Sequence, residues 1–318
     1  MRELIIGQND AGQRLDKFLS KAVPALPQSM MYKSIRLKKI KINRKRAEPD
    51  TKLSLGDTVQ LFLRDEFFEK PSEDRGALFR ITPKLDIVYE DENIMLLNKR
   101  PGVLVHEDTA GNENTLIMHI LAYLAQKGEF DPQNEQSFAP ALCNRIDRNT
   151  GGIVIAAKNA EALREMNELI KTGGTHKYYV CAVHGVPAPR VGRLHGWLIK
   201  DSANNTVSVS DKKRPGSKEC ITEYRVLREK RGEALVEVKL LTGRTHQIRA
   251  QFSHAGHPLL GDGKYGVNRA DRERGYKYQA LYSYRLVFTV ESGLLSYLNG
   301  REFSLSKEKI WFFGEFDK

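Results

Sequence analysis

The sequence has 318 residues and carries 51 Lys and Arg against 40 Asp and Glu, a formal net charge of +11 at pH 7. Apolar residues at 40% and charged residues at 29% are ordinary globular usage, and the length suits about two domains. No apolar run nears the roughly 18 residues that span a bilayer, and the N-terminus lacks the apolar stretch of a secretory signal. Cys143, Cys181 and Cys220 are too few and too scattered for a disulfide framework, and none forms a CxxC zinc pair. A basic, reduced, cytoplasmic protein is expected.

Residues 1–63 hold 13 Lys or Arg against 6 Asp or Glu, so +7 of the total lies in the first fifth of the chain. Leu15, Phe18 and Leu19 predict one amphipathic helix. Met31, Ile35 and Leu37 predict a second, with Ser29 as its N-cap. Ile40 and Ile42 then alternate with Lys41 and Asn43, as in a half-buried strand. A Gly56-Asp57 turn leads to Val59, Leu61 and Leu63 at period two, a further strand. Between Tyr32 and Arg46 lie eight basic residues and no acid. Most such runs are solvated faces. Here a folded α+β frame would hold Lys33, Arg36, Lys38, Lys39, Lys41 and Arg44 in place, which points to a nucleic-acid phosphate partner.

Gln13 to Leu19, the Ser29-to-Lys38 helix, Ile40 to Asn43 and Leu55 to Leu61 together resemble the S4 RNA-binding module. Lys39 departs from it, standing where the module often has glycine before the strand. The resemblance implies a grip on structured RNA.

Residues 64–84 are mixed in charge and carry Pro71, Gly76 and Pro83, so they read as a linker in which Phe67 and Phe68 dock on a neighbour. A second domain is expected over 85–318. Its predicted elements, in order, are strands at Leu85 to Tyr89 and Ile94 to Asn98, a Pro101-Gly102 turn and a buried strand at Gly152 to Lys158. Asn159 then caps a helix with Leu163, Met166, Leu169 and Ile170 on its apolar stripe and Gly173-Gly174 as its stop. Further strands run through HKYYVCAVHG, ALVEVKLLTG and LYSYRLVFTV. Strands outnumber helices in irregular order, so the fold class is α+β with a mixed or antiparallel sheet.

Three constellations carry chemistry. Asp147 sits between Arg145 and Arg148, just before an apolar strand; spacing alone favours a locally paired surface carboxylate over a nucleophile or general base. Arg244, His246, Gln247 and Arg249 crowd the end of another apolar run, and His254 and His257 have no carboxylate or cysteine nearby to complete a metal set. Strand alternation sends Tyr178 and Tyr179 to opposite faces, where packing is the default role of a tyrosine.

Asn98 to His106, Arg145 to Lys158, Lys177 to Gly185, Leu240 to Arg249 and Gly256 to Gly266 occur in the order found in the RluA-type RNA pseudouridine synthases, which residues 85–318 resemble. The resemblance implies that Asp147 is the catalytic aspartate. It implies that Tyr179 packs on the target base, with a proton-moving role open to its hydroxyl, and that Arg249 pairs with Asp147. Asn144 replaces a frequent His, Ile146 a Leu, and Gly151 the usual Ser of the family, yet no reacting group is lost.

The implied reaction breaks the N1–C1′ bond of uridine, turns the uracil and rejoins it through C5. With no redox change and no net hydrolysis, one carboxylate suffices and neither cofactor nor metal is called for. Asp147 would act by covalent attack or by promoting a glycal. Arg145, Arg148, Arg244 and His246 join the S4-like surface as expected RNA contacts. Ribosomal RNA of the large subunit, 23S RNA or its precursor, is the partner the resemblance implies, with no membrane and no obligate protein partner. Two rival readings stand: a non-catalytic RNA-binding assembly factor that retains the fold, and an RNA glycosidase, which ordinarily needs two carboxylates. Deleting residues 1–63 should weaken binding to a long ribosomal RNA fragment far more than it changes the maximal single-turnover rate. Salt titrations should show the log–log binding slope flattening by about 0.7–0.9 for each phosphate no longer neutralised. An unchanged slope would make Tyr32 to Arg46 a solvated face only.

Overall fold

The computed structural model describes residues 1–68, 77–106, 114–201, 204, 206–266 and 268–317. These divide into a unit of residues 1–84, 117–141 and 157–164 and a second of residues 85–116, 142–156 and 165–318.

The first unit opens with β1 (Arg2–Ile5), α1 (Leu15–Ala22), α2 (Gln28–Arg36), β2 (Ile40–Ile42), β3 (Lys45–Arg46) and β4 (Thr58–Leu61). The strands form an antiparallel sheet in the order β1-β4-β2-β3. Leu15, Phe18 and Leu19 of α1, Met31 and Ile35 of α2, and Ile40, Val59 and Leu61 of the sheet meet in one buried core. Full burial of each such side chain contributes roughly 1.5–3 kcal/mol.

Two expectations need correction. Ser29 does not cap α2: the helix starts at Gln28, and Pro27 precedes it in an extended conformation with no side-chain cap. The Pro27 carbonyl already accepts the first helical bond, from Met31 N at 2.9 Å, so Ser29 falls inside the first turn. Leu37 is exposed, because the helix ends there. The left-handed residue that follows is Lys38 (φ 60), one position before the Lys39 departure.

Asn43 (φ 49) and Arg44 (φ 65) turn the β2–β3 hairpin, both left-handed as a tight two-residue loop requires. Asn43 is clamped on both sides: Thr58 N donates to its Oδ1 at 2.9 Å, and its Nδ2 donates to Asp57 at 2.8 Å. Arg44 N donates to Gln60 Oε1 at 2.8 Å. The Asn43 side chain therefore holds the basic hairpin in a way that glycine could not replace.

Phe67 and Phe68 lie partly buried against this same core, and the Arg2 guanidinium is 4.6 Å from the Phe68 ring. Residues 69–76 of the expected linker, with Pro71 and Gly76, lie outside the described residues; α3 (Ala77–Arg80) follows. The unit also contains most of α4 (Leu116–Gln126) and the start of α5 (Ala160–Thr172). Asn9 donates to Glu135 at 2.7 Å and accepts from Ala160 N at 3.1 Å, while Gln13 donates to Ser137 at 2.7 Å. The loop before α1 is thus tied to segments over a hundred residues away. Asn159 caps α5 by accepting from Ala162 N at 2.8 Å.

Among the described residues, the second unit is built on an 11-stranded sheet. Its strands are β5 (Ile87–Glu90), β6 (Ile94–Lys99), β7 (Ala141–Leu142), β8 (Gly151–Ala157), β9 (Thr175–His184), β10 (Val191–Asp201), β11 (Thr206–Ser210), β12 (Lys218–Lys230), β13 (Glu233–Leu240), β14 (Leu281–Phe288) and β15 (Glu302–Ser304). The main path runs β11-β10-β12-β13-β9-β14-β8-β6-β5, with β7 on β8 and β15 on β14. β14 pairs parallel with β8 and antiparallel with β9, and β9, β13, β12 and β10 pair antiparallel in turn, so the sheet is mixed and the class α+β. The helices α6 (Gln247–His254) and α7 (Asn268–Glu273) complete it.

The β14–β8 junction explains the Gly151 departure. Tyr282 pairs with Gly151, and a Cβ on Gly151 would sit 2.2 Å from the Tyr282 ring. That ring is fixed by its hydroxyl donating to Asn98 Oδ1 at 2.9 Å. Gly152 is equally constrained, at φ 115 with its missing Cβ 2.1 Å from the Ser283 carbonyl. The space of the family's serine is occupied by tyrosine. Gly151→Ser should therefore lower urea-denaturation stability by about 1–3 kcal/mol. A double-mutant cycle with Tyr282→Ala should return a coupling of roughly 1 kcal/mol or more. Zero coupling would show that the ring is not what excludes the side chain.

Candidate active site

The chain leaves β13 at Leu240, turns, and enters α6 at Gln247. Buried Gln247 organises this turn. Its Oε1 accepts from Thr242 Oγ1 at 2.9 Å and Arg244 N at 3.1 Å, and its Nε2 donates to Ile221 O at 3.0 Å and Thr222 Oγ1 at 2.9 Å. His246, just before the helix, is left-handed at φ 54. Such strain in a non-glycine residue persists only where its surroundings dictate it.

Near the start of α6, Arg249 lies between two carboxylates. Its Nε and Nη2 donate to the two oxygens of Asp262 at 2.7 and 2.8 Å, and its Nη1 donates to Asp147 Oδ2 at 2.8 Å. Asp262 is fully buried, and its Oδ1 also accepts from Lys264 N at 2.9 Å and Tyr265 N at 3.2 Å. Burial works against both charges in this pair. Their mutual hydrogen bonds and attraction win, holding the Asp262 carboxyl below its ordinary range and raising Arg249 above its own. The Tyr265 ring lies 5.1 Å from the guanidinium. A fork locked from behind presents one N–H to Asp147, whose side chain keeps 24% of its surface open.

Asp147 closes a turn, its carbonyl accepting from Thr150 N at 3.0 Å one residue before β8. The neighbouring Arg148 is locked to the Pro101-Gly102 loop: Gly102 N donates to Arg148 O at 2.9 Å, and Arg148 Nε returns to Gly102 O at 3.2 Å. Lys99, at the end of β6 and fully buried, donates to the carbonyls of Arg100, Val103 and Arg148 at 3.2, 2.9 and 2.9 Å. Burial pushes its ammonium down to about 7, with the Asp147 charge opposing.

His246 Nε2 stands 3.7 Å from Asp147 Oδ2, and its Nδ1 is 2.9 Å from the Tyr265 hydroxyl. Val207 N donates to that hydroxyl at 2.9 Å, so the Tyr265 oxygen joins the β11 backbone to the imidazole. Burial lowers the His246 pKa, with Asp147 again opposing. Tyr179, buried on β9 opposite Ser283, is pushed up to about 12 by burial, with the Ser283 hydroxyl opposing and the Asp147 charge adding to the rise. Its phenol keeps its proton at any working pH. Tyr178 packs instead under Arg285, whose guanidinium is 3.8 Å from the ring.

Asp147, Arg249, His246 and Tyr179 thus share one electrostatic site. Arg145, Arg148 and Arg244 are exposed, and Arg244 Nε donates to Glu219 O at 3.1 Å. Lys33, Arg36, Lys38, Lys39 and Arg44 are exposed and Lys41 half-buried, all in the first unit. The roles of Asp262, Tyr265 and Lys99 were not read from the sequence, although each lies in one of the motifs. An arginine followed thirteen residues later by an aspartate in a glycine-rich turn was the available signal.

Residues 93–254 match the RNA pseudouridylate synthase family, and residues 13–59 match the S4 domain. An uncharacterized RNA pseudouridine synthase of Mycoplasma genitalium is 31% identical over 316 residues, covering 98% of this chain and 97% of its own.

The chain belongs to the RNA pseudouridylate synthase family.

Ribosomal large subunit pseudouridine synthase C of Escherichia coli is also 31% identical, over 277 residues that cover 84% of this chain and 81% of that one. The solved structure of human RNA pseudouridylate synthase domain containing 1 shares the fold at a TM-score of 0.53 and 21% identity, over 75% of this chain and 96% of that one. As an RNA pseudouridine synthase with an N-terminal S4 domain, the protein acts on RNA. Among the described residues no group of three His, Cys, Asp or Glu could hold a metal ion, and no helix is long and apolar enough to cross a membrane.

In this synthase, Asp262→Asn should leave the buried Arg249 charge half-compensated. A destabilisation of about 3 kcal/mol in urea denaturation is expected, together with slower pseudouridine formation by the folded fraction. Wild-type values of both would show that Arg249 does not depend on Asp262.

Proposed function

We propose that this synthase converts uridine to pseudouridine in ribosomal RNA of the large subunit, 23S RNA or its precursor, in the cytoplasm, with Asp147 as the reacting carboxylate. The observation that carries the reading is the Arg249–Asp147 hydrogen bond of 2.8 Å, made by an arginine whose other donors are committed to buried Asp262. It holds one carboxylate oxygen in place and leaves Oδ1 without a hydrogen bond among the described residues. The name of the Escherichia coli relative supports the choice of RNA.

The reaction conserves every atom. The N1–C1′ bond breaks, C5–C1′ forms, and the proton on C5 is replaced by one on N1. Asp147 acts on the target nucleotide by covalent attack or by promoting the glycal; both start from the same oriented carboxylate. Arg249 orients it. Tyr179, protonated and apolar in its ring, holds the detached uracil. Nothing in this balance requires a cofactor or metal. The target uridine must leave its stack, at a few kcal/mol, offset by RNA contacts elsewhere. Residues 1–63 supply part of these through Lys33, Arg36, Lys38, Lys39, Lys41 and Arg44, and residues 85–318 supply the rest through Arg145, Arg148 and Arg244.

Asp147→Asn should abolish pseudouridine formation under single turnover while leaving RNA affinity nearly unchanged. Residual activity within about tenfold of wild type, ~1.4 kcal/mol of barrier, would remove Asp147 from the role. Mapping pseudouridines in large-subunit RNA with and without the protein tests the substrate; an unchanged map would exclude it.

A further inference from the structure

The second unit contains a cavity of about 520 Å³ that the reaction as described does not use. Its volume is in the range of small-ligand sites. Among its walls are Arg100, Pro101, Lys277, Tyr278, Lys309 and Trp311. Lys309 is neutralised by Asp86 at 2.8 Å. Arg100 and Lys277 are exposed and have no acid at ion-pair distance among the described residues. Asp86 also lines the cavity and feels the Arg100 charge, but it is bonded to Lys309, so Arg100 and Lys277 leave room for a further anion.

The aromatic wall specifies more than an anion. Trp311 stays 39% exposed although it is wedged edge-on against Tyr276, with centroids 5.3 Å apart, and Phe312, at 5.2 Å. A large ring held in place yet open to solvent loses little entropy when a flat group stacks on it. Aromatic rings bordered by unpaired cations are what a nucleotide needs, the base on the ring and the phosphate on the cations.

The cavity also shares a wall with the catalytic turn. Arg100 and Pro101 lie within the loop that Lys99 binds at Arg100 O and Val103 O while binding Arg148 O with the same ammonium. Gly102, the next residue, exchanges two hydrogen bonds with Arg148, the neighbour of Asp147. A Cβ on Gly102 would meet the Tyr278 hydroxyl at 2.8 Å, so the 277–278 wall closes tightly on this loop.

We propose that this cavity takes a second nucleotide of the substrate RNA, flanking the isomerised uridine, with its base against Trp311 and Tyr278 and its phosphate between Arg100 and Lys277. The inference rests on RNA reaching Asp147 as its substrate. The Pro101-Gly102 loop connects the two places: Gly102 is hydrogen-bonded to Arg148, next to Asp147, and Pro101 lines the cavity.

The chain has two tryptophans, so Trp197→Phe leaves Trp311 as the only one in the full-length protein. Its emission is followed while a ribosomal RNA fragment that the enzyme modifies is titrated in, and separately with uridine monophosphate. Emission should change with RNA and saturate at the concentration that saturates turnover, while uridine monophosphate at equal concentration leaves it unchanged. Lys277→Glu, at an exposed position that no core depends on, should raise KM for this RNA about 5- to 100-fold with kcat within about twofold. Trp311 emission unmoved at full RNA saturation, an equal response to uridine monophosphate, or an unchanged KM in Lys277→Glu would each overturn the proposal. Asp147→Asn added to the Trp197→Phe chain keeps the two readings apart. It should retain the emission change while forming no product, and product formation by that variant would count against the catalytic assignment alone.

Discussion

Arg249 has one guanidinium to divide, and its division orders the site. Two of its donors go to Asp262, a carboxylate with no access to water, and one goes to Asp147, which is open. Each carboxylate alone with the arginine would be a different object. The inner pair alone would be a closed structural ion pair, and the outer pair alone would be a flexible contact screened by solvent. Together they make the outer contact rigid, because the inner pair removes the arginine's rotational freedom before the RNA arrives. The demands on the fold follow from this. Gln247 must set the start of α6, the glycine-rich turn must aim two backbone amides at Asp262, and Tyr265 must cover the guanidinium while steadying His246.

A second constraint acts on Asp147 through its neighbour Arg148. Lys99 gathers three carbonyls from two separate segments, so the Asp147 turn and the Pro101-Gly102 loop move as one piece. In its protonated form the amine has three protons for these three carbonyls, which fits a lysine better than any other donor in so small a space. The carboxylate is thus positioned through its side chain by α6 and through its backbone by the end of β6.

Much of the fold was legible from period and punctuation. Leu15, Phe18 and Leu19, the alternation at Ile40 and Ile42, and the Gly173-Gly174 stop after α5 each reflect local physics that the structure retains. The start of α2 was not legible, because Pro27 supplies the first carbonyl and no capping side chain marks the place. The helix α6 was also hidden: QIRAQFSH has no clear apolar stripe, since its polar residues face a polar site and not solvent. The strands β10, β11 and β12 carry too few apolar residues to announce themselves, and their pairing is set by neighbours far away in sequence. At the site, Asp147 and Arg249 are 102 residues apart, so only the family resemblance linked them. Asp262 looked like one more aspartate in a glycine turn, because burial cannot be read from a single residue.

The β2–β3 hairpin has two left-handed residues, and neither is glycine. An L-residue in that conformation is strained by roughly 1 kcal/mol, and glycine at position 44 would relieve it. Relief would come at the expense of a cation on the module's exposed tip. Directed evolution for heat tolerance and directed evolution for turnover at high salt should therefore diverge at Arg44: the first favours glycine there, the second retains arginine. The hairpin's conformational strain marks a boundary between robustness and grip, at a single codon.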